Sequence, residues 1–550
     1  MDKNKDNTRV LILSAGKIPI EMQKFFGKIC SGLIPINGKP IIFNTIDKLI
    51  DHGYQKITIT VGYNKKHLMK IIDSYYQNKI RIDYVEVDWK KSPGNSIIKS
   101  LKKIKENKLL VILGDTVINN EYFKFLNKQK DFVIASKNFS DSSKWCVVET
   151  KNNELKSIYD KKRKLKVKTN FSALIGVYFF SSVKELKNIS KKIQNQKKIE
   201  ISSLLESYKK NNKILVKIES DWYDVGHKNN YFNSKKELLQ SRFFNYLELD
   251  EKNGIVTKKS QNVTKLKNEI NWYKSIPNQI KIITPKIISS KTNNKANLVM
   301  EHIDFSTLTE TWLYGNISYN NWKSILNELK NIISTFKKYK KIVYQKDYEQ
   351  IYIKKTQSRV QELISSNPTF RNLLNYEYIK INGKSYDNWN KLSKKIFPKI
   401  KKLFCKDDNC LIHGDLCFSN ILYDVANNKY RIIDPRGRWG NTIFGDIKYD
   451  LAKLRHSIVG GYDSINNGLF SIEYKNNSLK ISTLKSVQHQ KVSNDFDLWV
   501  SKNWNLEQIK MIEGLLFISM LPLHNDDLKK QLAFYAVGVQ RLNEIDFTKI

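Results

Sequence analysis

Two segments in the C-terminal half place an aspartate, an asparagine and a second aspartate at a spacing that suits phosphoryl transfer. Leu411–Leu422 reads Leu-Ile-His-Gly-Asp-Leu-Cys-Phe-Ser-Asn-Ile-Leu and contains Asp415 and Asn420. Arg431–Gly437 follows it and contains Asp434. Transfer from ATP needs a carboxylate that orients the acceptor hydroxyl, and an Asn and an Asp that hold Mg²⁺ on the phosphates. A loop followed by a short hairpin supplies these groups in that order.

A lysine and a glutamate upstream have the spacing of an ion pair that positions nucleotide phosphates. Gly254–Lys258 alternates as a strand, and Lys258 rather than Lys259 is in phase with the apolar positions. Glu269 lies in the helix predicted to follow. Such a Lys–Glu pair holds the α- and β-phosphates in phosphotransferases. The alternative for Glu269 is an exposed helix charge, since Lys265 lies four residues before it.

Together these segments resemble the aminoglycoside phosphotransferase/choline kinase family, the small-molecule branch of the protein-kinase-like fold. The resemblance implies that Asp415 is the catalytic base, and that Asn420 and Asp434 are metal ligands. It implies a catalytic ion pair between Lys258 and Glu269.

The same resemblance makes Leu298–Ile303 the hinge that binds adenine through its backbone, with Met300 and His302 as nucleotide-binding residues. The chain has neither a glycine-rich loop of protein-kinase type nor an activation segment ending in Ala-Pro-Glu. These departures favour a small acceptor over a protein substrate. Trp439 is a candidate for an aromatic box around a quaternary ammonium, with a place in the core as the alternative. Asp450, which follows the metal site, is interpreted as structural.

Two aspartates of the N-terminal half are candidate metal ligands. Asp115 follows the apolar strand Leu109–Leu113, and Asp224 lies in Asp-Trp-Tyr-Asp-Val-Gly-His. A carboxylate at the end of a buried strand lies at the ligand-binding edge of a sheet. Two such groups can hold Mg²⁺ between triphosphate oxygens while the α-phosphorus is attacked. The alternative for Asp115 is a solvent-facing loop position.

This half resembles the sugar-phosphate nucleotidylyltransferase family, whose members form NDP-sugars and CDP-choline-type products. The matching pieces, in order, are Val10–Gly16, Leu33–Ile42, Gly53, Ser92–Ser96, Leu113–Asp115, Ile175–Phe179 and Asp224–Tyr231. The resemblance implies that Asp115 and Asp224 bind the metal and that Ala15 and Gly16 line the nucleotide pocket. It also places the nucleotide-binding residues Gly94 and Asn95 in a base-side loop, and the substrate-binding residues at Lys161 and Gly176.

The N-terminal half departs from that family in three places. The loop Ser14–Pro19 has one glycine and no arginine, where the family has a glycine-rich, arginine-containing loop that cradles the triphosphate. Ser31 replaces a family lysine, and Asp-Lys-Lys around Lys161 replaces Glu-Lys-Pro. Candidates for the missing nucleotide-binding cations are Lys17, Lys24 and Lys28. The alternative is a domain that binds its ligand without turnover.

The order of predicted elements gives the fold class. The first 240 residues alternate short strands and helices, which predicts an α/β, Rossmann-like (GT-A-like) domain with a mostly parallel sheet. Two strands within Phe244–Lys259, a helix and the strand Asn297–Ile303 follow, and the chain is predicted to be largely helical from residue 306, with two short strands near 411–434. We therefore predict a nucleotidyltransferase-like domain at 1–240, followed by a protein-kinase-like α+β phosphotransferase domain with its N-lobe at 241–305 and its C-lobe at 306–550.

The charge composition of the chain bears on whether its partners are nucleic acids or small molecules. The 550 residues contain 95 Lys+Arg and 54 Asp+Glu, a formal charge of +41. The excess is mostly lysine spread along the chain, without a dense basic tail, so a specific nucleic-acid partner is not expected. The basic field favours nucleotides and phosphorylated small molecules. The composition does not decide between a monomer and a homo-oligomer.

Five scattered cysteines predict free thiols in a reducing compartment. The N-terminus lacks the pattern of a signal peptide. The most apolar stretch, Gly514–Leu523, is about half the length of a membrane span, so no membrane span is predicted. A cytoplasmic location is therefore expected.

These patterns favour a bifunctional enzyme that makes an activated precursor for a surface glycan, the glycan context coming from the two families. One half phosphorylates an alcohol, amino alcohol or sugar with MgATP, and the other joins that phosphate to an NTP. CTP is the first expectation, because choline-type kinases pair with cytidylyl transfer. One alternative is a kinase whose N-terminal domain only binds. The other is a nucleic-acid-binding protein with a nucleotide-fold core, which only the net charge supports.

Overall fold

The computed structural model divides the chain into two compact units. Unit 1 comprises Met1–Leu238 with Tyr314–Asn316, and unit 2 comprises Leu239–Leu313 with Ile317–Ile550. The structure describes residues 5, 7–77, 79–126, 130–139, 142–162, 169–196, 198–219, 223, 225–226, 231, 234–235, 246–250, 253–260, 262–292 and 296–550. The predicted domain boundary between residues 240 and 241 lies outside the described residues.

Nine strands of unit 1 form one sheet in the order β5-β4-β1-β6-β10-β7-β11-β9-β8, in which β10 also pairs with β8, and β2 and β3 form a separate hairpin. The strands are β1 (Thr8–Leu13), β2 (Pro35–Ile36), β3 (Lys39–Pro40), β4 (Ile57–Val61), β5 (Ile82–Glu86), β6 (Lys108–Leu113), β7 (Phe132–Ser136), β8 (Cys146–Lys151), β9 (Glu154–Asp160), β10 (Phe171–Phe180) and β11 (Leu215–Ile218). The strands β5, β4, β1 and β6 are parallel.

The prediction of a mostly parallel sheet is wrong for the second half of unit 1. β10 is antiparallel to β6, β7 and β8, and β8 pairs antiparallel with β9. The β8–β9 connection is a two-residue turn in which Asn152 and Asn153 both have positive φ, of 55° and 60°. Turns of this type match the twist of a hairpin, and asparagine tolerates the left-handed conformation they need.

Besides a 3₁₀ turn at Ser31–Leu33, seven α-helices accompany the sheet in the part of unit 1 that the structure describes. They are α1 (Ile20–Phe26), α2 (Ile41–Asp51), α3 (Lys65–Tyr76), α4 (Pro93–Leu101), α5 (Glu121–Leu126), α6 (Val183–Ile193) and α7 (Ile201–Tyr208). Apolar side chains of α4, α6 and α7 form one buried cluster with residues of β1, β6, β7 and β10. The apolar residues of α2 and α3 recur at helical spacing, which agrees with the alternation of strands and helices predicted for this half.

The strand register brings the loops after β1, β4 and β6 to one edge of the sheet. Leu13, the last residue of β1, pairs with Thr60 of β4 on one side and with Leu113 of β6 on the other. Gly16 and Asp115 follow these strands and therefore lie at the same edge, where parallel sheets bind ligands.

The two glycines predicted to bind the nucleotide have different surroundings. A Cβ at Gly94, in the first turn of α4, would overlap the carbonyl oxygens of Ile199 and Glu200. A Cβ at Gly16 would meet no atom within 4 Å. Gly94 is therefore required for packing, whereas Gly16 borders open space that a ligand can enter.

Gly94→Ala is expected to destabilise unit 1 by about 1–3 kcal/mol, because α4 must move away from the Ile199 carbonyl. Hydrogen exchange should become faster in Pro93–Leu101, whereas Gly16→Ala should leave exchange unchanged. Equal rates of hydrogen exchange in Pro93–Leu101 of the two variants would contradict the close approach of the Ile199 carbonyl to Gly94.

Unit 2 opens with a four-stranded antiparallel sheet. Its strands are β12 (Tyr246–Asp250), β13 (Ile255–Lys259), β14 (Ile287–Lys291) and β15 (Asn297–Glu301), in the order β12-β13-β15-β14. The helices α8 (Val263–Ser275) and α9 (Asn278–Lys281) connect β13 to β14. The sequence predicted the β12–β13 hairpin, α8 and β15 correctly, within three residues at each end.

The described residues of the remainder of unit 2 form eleven further α-helices and the π-helix Glu349–Lys354. The α-helices are α10 (Leu308–Leu313), α11 (Tyr319–Lys337), α12 (Gln345–Tyr348), α13 (Lys355–Ser366), α14 (Pro368–Asn375), α15 (Trp389–Ile396), α16 (Ile447–Ile458), α17 (Tyr462–Asn466), α18 (Val487–Asn503), α19 (Leu506–Ser519) and α20 (Leu528–Asn543). Short 3₁₀ turns lie at Phe397–Leu403, Lys406–Asp408, Phe418–Asn420, Leu521–His524 and Phe547–Lys549. Among the described residues, none of the helices is long and apolar enough to cross a membrane.

Nine short strands lie among these helices. They are β16 (Ser306–Thr307), β17 (Tyr378–Ile381), β18 (Lys384–Asp387), β19 (Asn409–Leu411), β20 (Ile421–Asp424), β21 (Lys429–Ile432), β22 (Phe444–Asp446), β23 (Phe470–Lys475) and β24 (Ser478–Thr483). They form the sheets β16-β20-β21, β19-β22 and β18-β17-β24-β23. The prediction of two short strands in this region was therefore incomplete, because it missed the hairpins β17–β18 and β23–β24.

Gly437 sets the distance between the segment after β21 and helix α8. It has φ +69°, and a Cβ there would overlap the Asn268 carbonyl oxygen and lie 3.0 Å from the Glu269 nitrogen. Only glycine permits both this backbone conformation and this approach. Glu269 is therefore held beside the segment that carries Asp434.

Gly437→Ala is expected to destabilise unit 2 by about 1–3 kcal/mol more than Gly383→Ala, because it adds overpacking to the backbone strain. Gly383 is a matched control, since it has φ +83° but no atom within 4 Å of its Cβ position. Urea unfolding and hydrogen exchange in Val263–Ser275 measure the difference. Indistinguishable variants would mean that Gly437 does not position α8.

Candidate functional site

A buried ion cluster connects the sheet of unit 2 with helix α8 and the segment after β21. The Lys258 Nζ lies 2.9 and 2.8 Å from the two carboxylate oxygens of Glu269 and 2.8 Å from Oδ1 of Asp434. The side chains of Lys258 and Glu269 are only 4% and 2% exposed. Glu269 is therefore not an exposed helix charge. Burial alone would lower the pKa of Lys258, but Asp434 and Glu269 raise it, so the ammonium stays protonated.

Asp434 is the most accessible member of this cluster. Its side chain is 42% exposed, and its backbone adopts φ 59°. A non-glycine residue in this left-handed region is strained, and such strain concentrates at functional sites. The Asp434 carboxylate is thus fixed by Lys258 and still accessible to a ligand.

A second buried carboxylate holds the loop that contains Asp415. The Asp450 oxygens accept hydrogen bonds from the backbone N–H groups of His413, at 2.7 Å, and Gly414, at 2.8 Å. Asp450 is fully buried in α16. Because its carboxylate bonds to the loop backbone, Asp450 positions the loop, which agrees with its interpretation as structural.

His413 links this loop to the segment that carries Asp434. Its Nε2–H donates to the Ile433 carbonyl at 3.0 Å, and its Nδ1 accepts from the Asp415 N–H at 3.3 Å. Burial lowers the pKa of His413 to about 4, so the ring is neutral near pH 7 and can both donate and accept. His413 therefore fixes the loop without taking part as a charge.

Asp415 and Asn420 lie together, and Lys453, which the sequence interpretation missed, pairs with Asp415. The Asn420 amide donates to the backbone carbonyl of Asp415, at 2.8 Å, and to its Oδ2, at 3.1 Å. Lys453 Nζ lies 2.9 Å from Oδ1 of Asp415. Burial would raise the pKa of Asp415, but Lys453 lowers it to about 2. Lys453 lies three residues after Asp450 on α16, and this spacing places both side chains on one helix face. The spacing could therefore have predicted that Lys453 lies near the Asp415 loop.

The oxygen atoms of Asn420 and Asp434, near this loop, are of the kind that bind a magnesium ion. Asn420 turns its amide nitrogen towards Asp415, its amide oxygen accepts only a long hydrogen bond from Ser419, at 3.4 Å, and Asp434 adds an accessible carboxylate. Mg²⁺ prefers oxygen ligands and usually completes its shell with phosphates and water. Among the described residues, no group of three or more His, Cys, Asp and Glu is arranged to hold a metal ion alone.

The predicted hinge residues lie at the end of β15. Met300 is buried and pairs with Val256 of β13. The His302 N–H donates to the Gly254 carbonyl at 2.9 Å, and its Nδ1 lies 3.1 Å from Asp304. Adenine binding at Met300 and His302 stays a prediction.

Trp439 belongs to the core rather than to an open aromatic box. It is fully buried, with ring centroids 5.5 to 5.6 Å from those of Tyr348, Tyr352 and Tyr449. This favours the core alternative, because a quaternary ammonium needs access to the ring face.

Unit 1 contains a cavity of about 320 Å³ that brings two predicted site residues together. Asp115 and Lys161 both line it, with Lys144, Tyr178 and Glu200. The cavity thus has carboxylates for a cation and ammonium groups for a phosphate. The other predicted metal ligand, at position 224, lies outside the described residues.

Gly176 lies beside this cavity. It has φ +94° in a bulge of β10, and a Cβ there would lie 2.6 Å from Thr116 Oγ1. The Thr116 hydroxyl donates to the Ile175 carbonyl at 2.9 Å. Thr116 follows Asp115 directly, so β10 packs closely against the turn that carries the candidate metal ligand.

The other predicted nucleotide-binding residues of unit 1 follow β1 or open α4. The Ala15 carbonyl accepts a hydrogen bond from Tyr63, and Lys17 Nζ lies 5.4 Å from the Trp89 ring centroid. The Asn95 amide donates to Ser92 Oγ at 3.0 Å. Their roles in nucleotide binding stay predictions.

The comparison with protein-family models concerns the N-terminal region of the chain. The nucleotidyl transferase family model matches residues 29–241, and the match therefore begins after the Ser14–Pro19 loop. The bifunctional protein GlmU of Methanococcus maripaludis is 28% identical over 213 residues, which cover 37% of this chain and 49% of that protein. The UTP–glucose-1-phosphate uridylyltransferase AglF of Haloferax volcanii is 22% identical over 160 residues, which cover 28% of this chain and 65% of that protein.

Among solved structures, UDP-glucose pyrophosphorylase complexed with UDP-glucose aligns with 19% identity and a TM-score of 0.37, over 43% of this chain and 99% of that chain. The chain spans about half the length of the GlmU protein that it matches. The N-terminal region, residues 29–241, is therefore a nucleotidyl transferase domain, homologous to sugar-phosphate nucleotidyltransferases.

Proposed function

We propose that the chain is a bifunctional enzyme that phosphorylates a small hydroxyl compound and then transfers a nucleotide onto the new phosphate. The observation that carries the phosphorylation step is the buried cluster of Lys258, Glu269 and Asp434. Burying an ammonium and a carboxylate costs free energy that a structural role alone would avoid. A phosphotransferase requires this cluster, because the lysine must meet the α- and β-phosphates in a fixed position.

The arrangement of unit 2 supports a protein-kinase-like fold for this step. A four-stranded antiparallel sheet carries Lys258, a helix carries Glu269, and a loop with a following hairpin carries Asp415, Asn420 and Asp434. ATP would lie between the sheet and the loop, with its adenine at the end of β15. The lack of an activation segment supports a small acceptor.

The chemistry assigns a separate task to each side chain. Asp415, held deprotonated by Lys453, orients the acceptor hydroxyl and accepts its proton. The hydroxyl oxygen bonds to the γ-phosphorus as the bond to the ADP oxygen breaks. Asn420 and Asp434 would hold Mg²⁺, which neutralises phosphate charge when it is bound. The products are ADP and a phosphomonoester.

Unit 1 supplies the second step. Its homology supports transfer of an NMP to a sugar phosphate or a similar phosphomonoester, with release of pyrophosphate. The pairing of Asp115 with Lys161 and Lys144 in one cavity supports a site for a metal-bound nucleotide and a phosphate. CTP is the nucleotide tested first, with UTP and GTP beside it.

The two reactions follow each other chemically, since the phosphomonoester made by unit 2 belongs to the substrate class of unit 1. Joining the two sites in one chain raises the local concentration of this intermediate. The loop Ser14–Pro19 favours a second candidate, in which unit 1 binds the phosphomonoester without turnover. That loop has one glycine and no arginine, and it precedes the family match.

Asp415→Asn is expected to lower ADP formation at least about 100-fold, because the acceptor loses its base. It should leave pyrophosphate release from CTP and a phosphorylated acceptor unchanged. Asp115→Asn should do the reverse. ³¹P NMR with MgATP, MgCTP and a pooled panel of alcohols, amino alcohols and sugars measures both reactions.

The matched control is Asp407→Asn, because Asp407 is 87% exposed and its ion pair is with the exposed side chain of Lys340. It should retain both activities. A wild-type rate of ADP formation in Asp415→Asn would contradict the assignment of Asp415 as the base for phosphoryl transfer in unit 2. Wild-type pyrophosphate release in Asp115→Asn would remove Asp115 as a metal ligand, and no release in the wild type with any NTP would favour the binding-only candidate.

Lys453→Met is expected to move the acid limb of kcat for phosphoryl transfer to higher pH. Asp415 acts deprotonated, so the rate falls as pH falls through its pKa, and Lys453 holds that pKa at about 2. Lys453→Arg keeps the charge and should keep the wild-type profile. Rates measured at saturating acceptor from pH 4 to 8 provide the test, and coincident Met and wild-type profiles would contradict this coupling.

A further inference from the structure

A cluster of cations surrounds Tyr449 on helix α16. Arg436 donates from its guanidinium to the Tyr449 hydroxyl at 3.2 Å, and its central carbon lies 5.7 Å from the ring centroid. Lys355 Nζ lies 5.9 Å from the same centroid. Tyr449 is 3% exposed, so these charges meet around a largely buried phenol. We call Lys355, Arg436 and Lys453 the cation cluster.

The cation cluster adjoins the loop that carries Asp415. Tyr449 and Lys453 are four residues apart on α16, which places them on one helix face. Lys453 pairs with Asp415 at 2.9 Å, and the Arg436 N–H donates to the His413 carbonyl at 3.0 Å. The acceptor hydroxyl must approach Asp415, so it enters the field of these cations.

The cation cluster has more positive charge than its surroundings neutralise. Of the three cations, only Lys453 has a carboxylate partner among the described residues, and that partner is Asp415. The nearby Asp450 carboxylate bonds to the loop backbone instead. Burial would raise the pKa of Tyr449, but Lys355, Arg436 and Lys453 lower it to about 8. The three cations therefore favour the phenolate form of Tyr449.

The backbone before Lys355 supports a dedicated role for this position. Lys355 follows the π-helix Glu349–Lys354 directly. Within that π-helix the Tyr352 hydroxyl donates to the buried Asp446 at 3.0 Å and fixes the turn. π-Helices are rare and occur frequently at functional sites.

We propose that the acceptor carries an anionic group, a carboxylate or a phosphate, in addition to the hydroxyl that is phosphorylated. Lys355 and Arg436 bind this group while Asp415 orients the hydroxyl. The inference rests on the proposed phosphotransferase function of unit 2. It changes the expected acceptor class, because choline and ethanolamine are cations that the cation cluster repels.

Two matched series of acceptors test the charge requirement on the full chain. The first contains glycerol, D-glycerate, glycerol 3-phosphate, ethanolamine and choline. The second contains glucose, glucuronate, glucose 6-phosphate and glucosamine. ADP formation with MgATP gives kcat/KM for each compound, and ³¹P NMR identifies the product. Within a series, anionic members should exceed neutral and cationic ones at least 10-fold, and the carboxylate and phosphate members show which anion is preferred.

Lys355→Met should raise the KM for the best anionic acceptor at least 10-fold and leave the KM for ATP unchanged. Lys355→Arg should restore binding. Lys354→Met is the matched control, since Lys354 is the exposed neighbour in sequence, and it should behave as wild type.

Three results would overturn the proposal. Preferential phosphorylation of choline, ethanolamine or glucosamine would refute the anionic acceptor and leave the phosphotransferase function standing. A raised KM for ATP in Lys355→Met, with the acceptor KM unchanged, would assign the cations to the nucleotide phosphates. If no compound in either series is phosphorylated or changes ATP hydrolysis, the phosphotransferase function fails, and this inference fails with it.

Discussion

Unit 2 depends on a single constraint, which is that the ammonium of Lys258 is buried and must keep its two carboxylate partners. Removing one partner from a buried ion pair costs about 3–5 kcal/mol, because the remaining charge is left without compensation. The partners lie on different elements, Glu269 on a helix and Asp434 after a strand. Their relative position is therefore fixed by electrostatics as well as by packing, and the proposed phosphate-binding geometry follows from it.

The neighbouring contacts supply the precision that this cluster needs. Gly437 allows the segment after Asp434 to approach helix α8 without an intervening side chain. Asp450 and His413 fix the loop that carries Asp415, one through backbone N–H groups and the other through the Ile433 carbonyl. Neither His413 nor Asp450 needs to touch a substrate for this role. The loop thus presents Asp415 as a deprotonated carboxylate in a defined place beside the cation cluster.

Much of this arrangement could be predicted from the sequence, because local patterns determine it. Strand alternation selected Lys258, and helical spacing placed Glu269 in the next helix. Lys355 and its role were not predictable, since nothing local links it to Tyr449 across 94 positions. The β17–β18 hairpin was missed despite its Asn382-Gly383 turn, a dipeptide typical of tight hairpins. The antiparallel pairings of β8, β9 and β10 were missed because alternating strands and helices earlier in the chain suggested that the parallel pattern would continue.

The central claim is that one chain makes a phosphomonoester in unit 2 and consumes it in unit 1. Its most direct test follows the label from [γ-³²P]ATP in a reaction with unlabelled CTP, UTP or GTP and the acceptor that is phosphorylated best. The account predicts that the label appears in the nucleoside diphosphate-linked acceptor, in the phosphate that is bonded to the acceptor. The released pyrophosphate should be unlabelled. Label that remains in the phosphomonoester with every nucleotide, or that appears only as orthophosphate, would contradict the account.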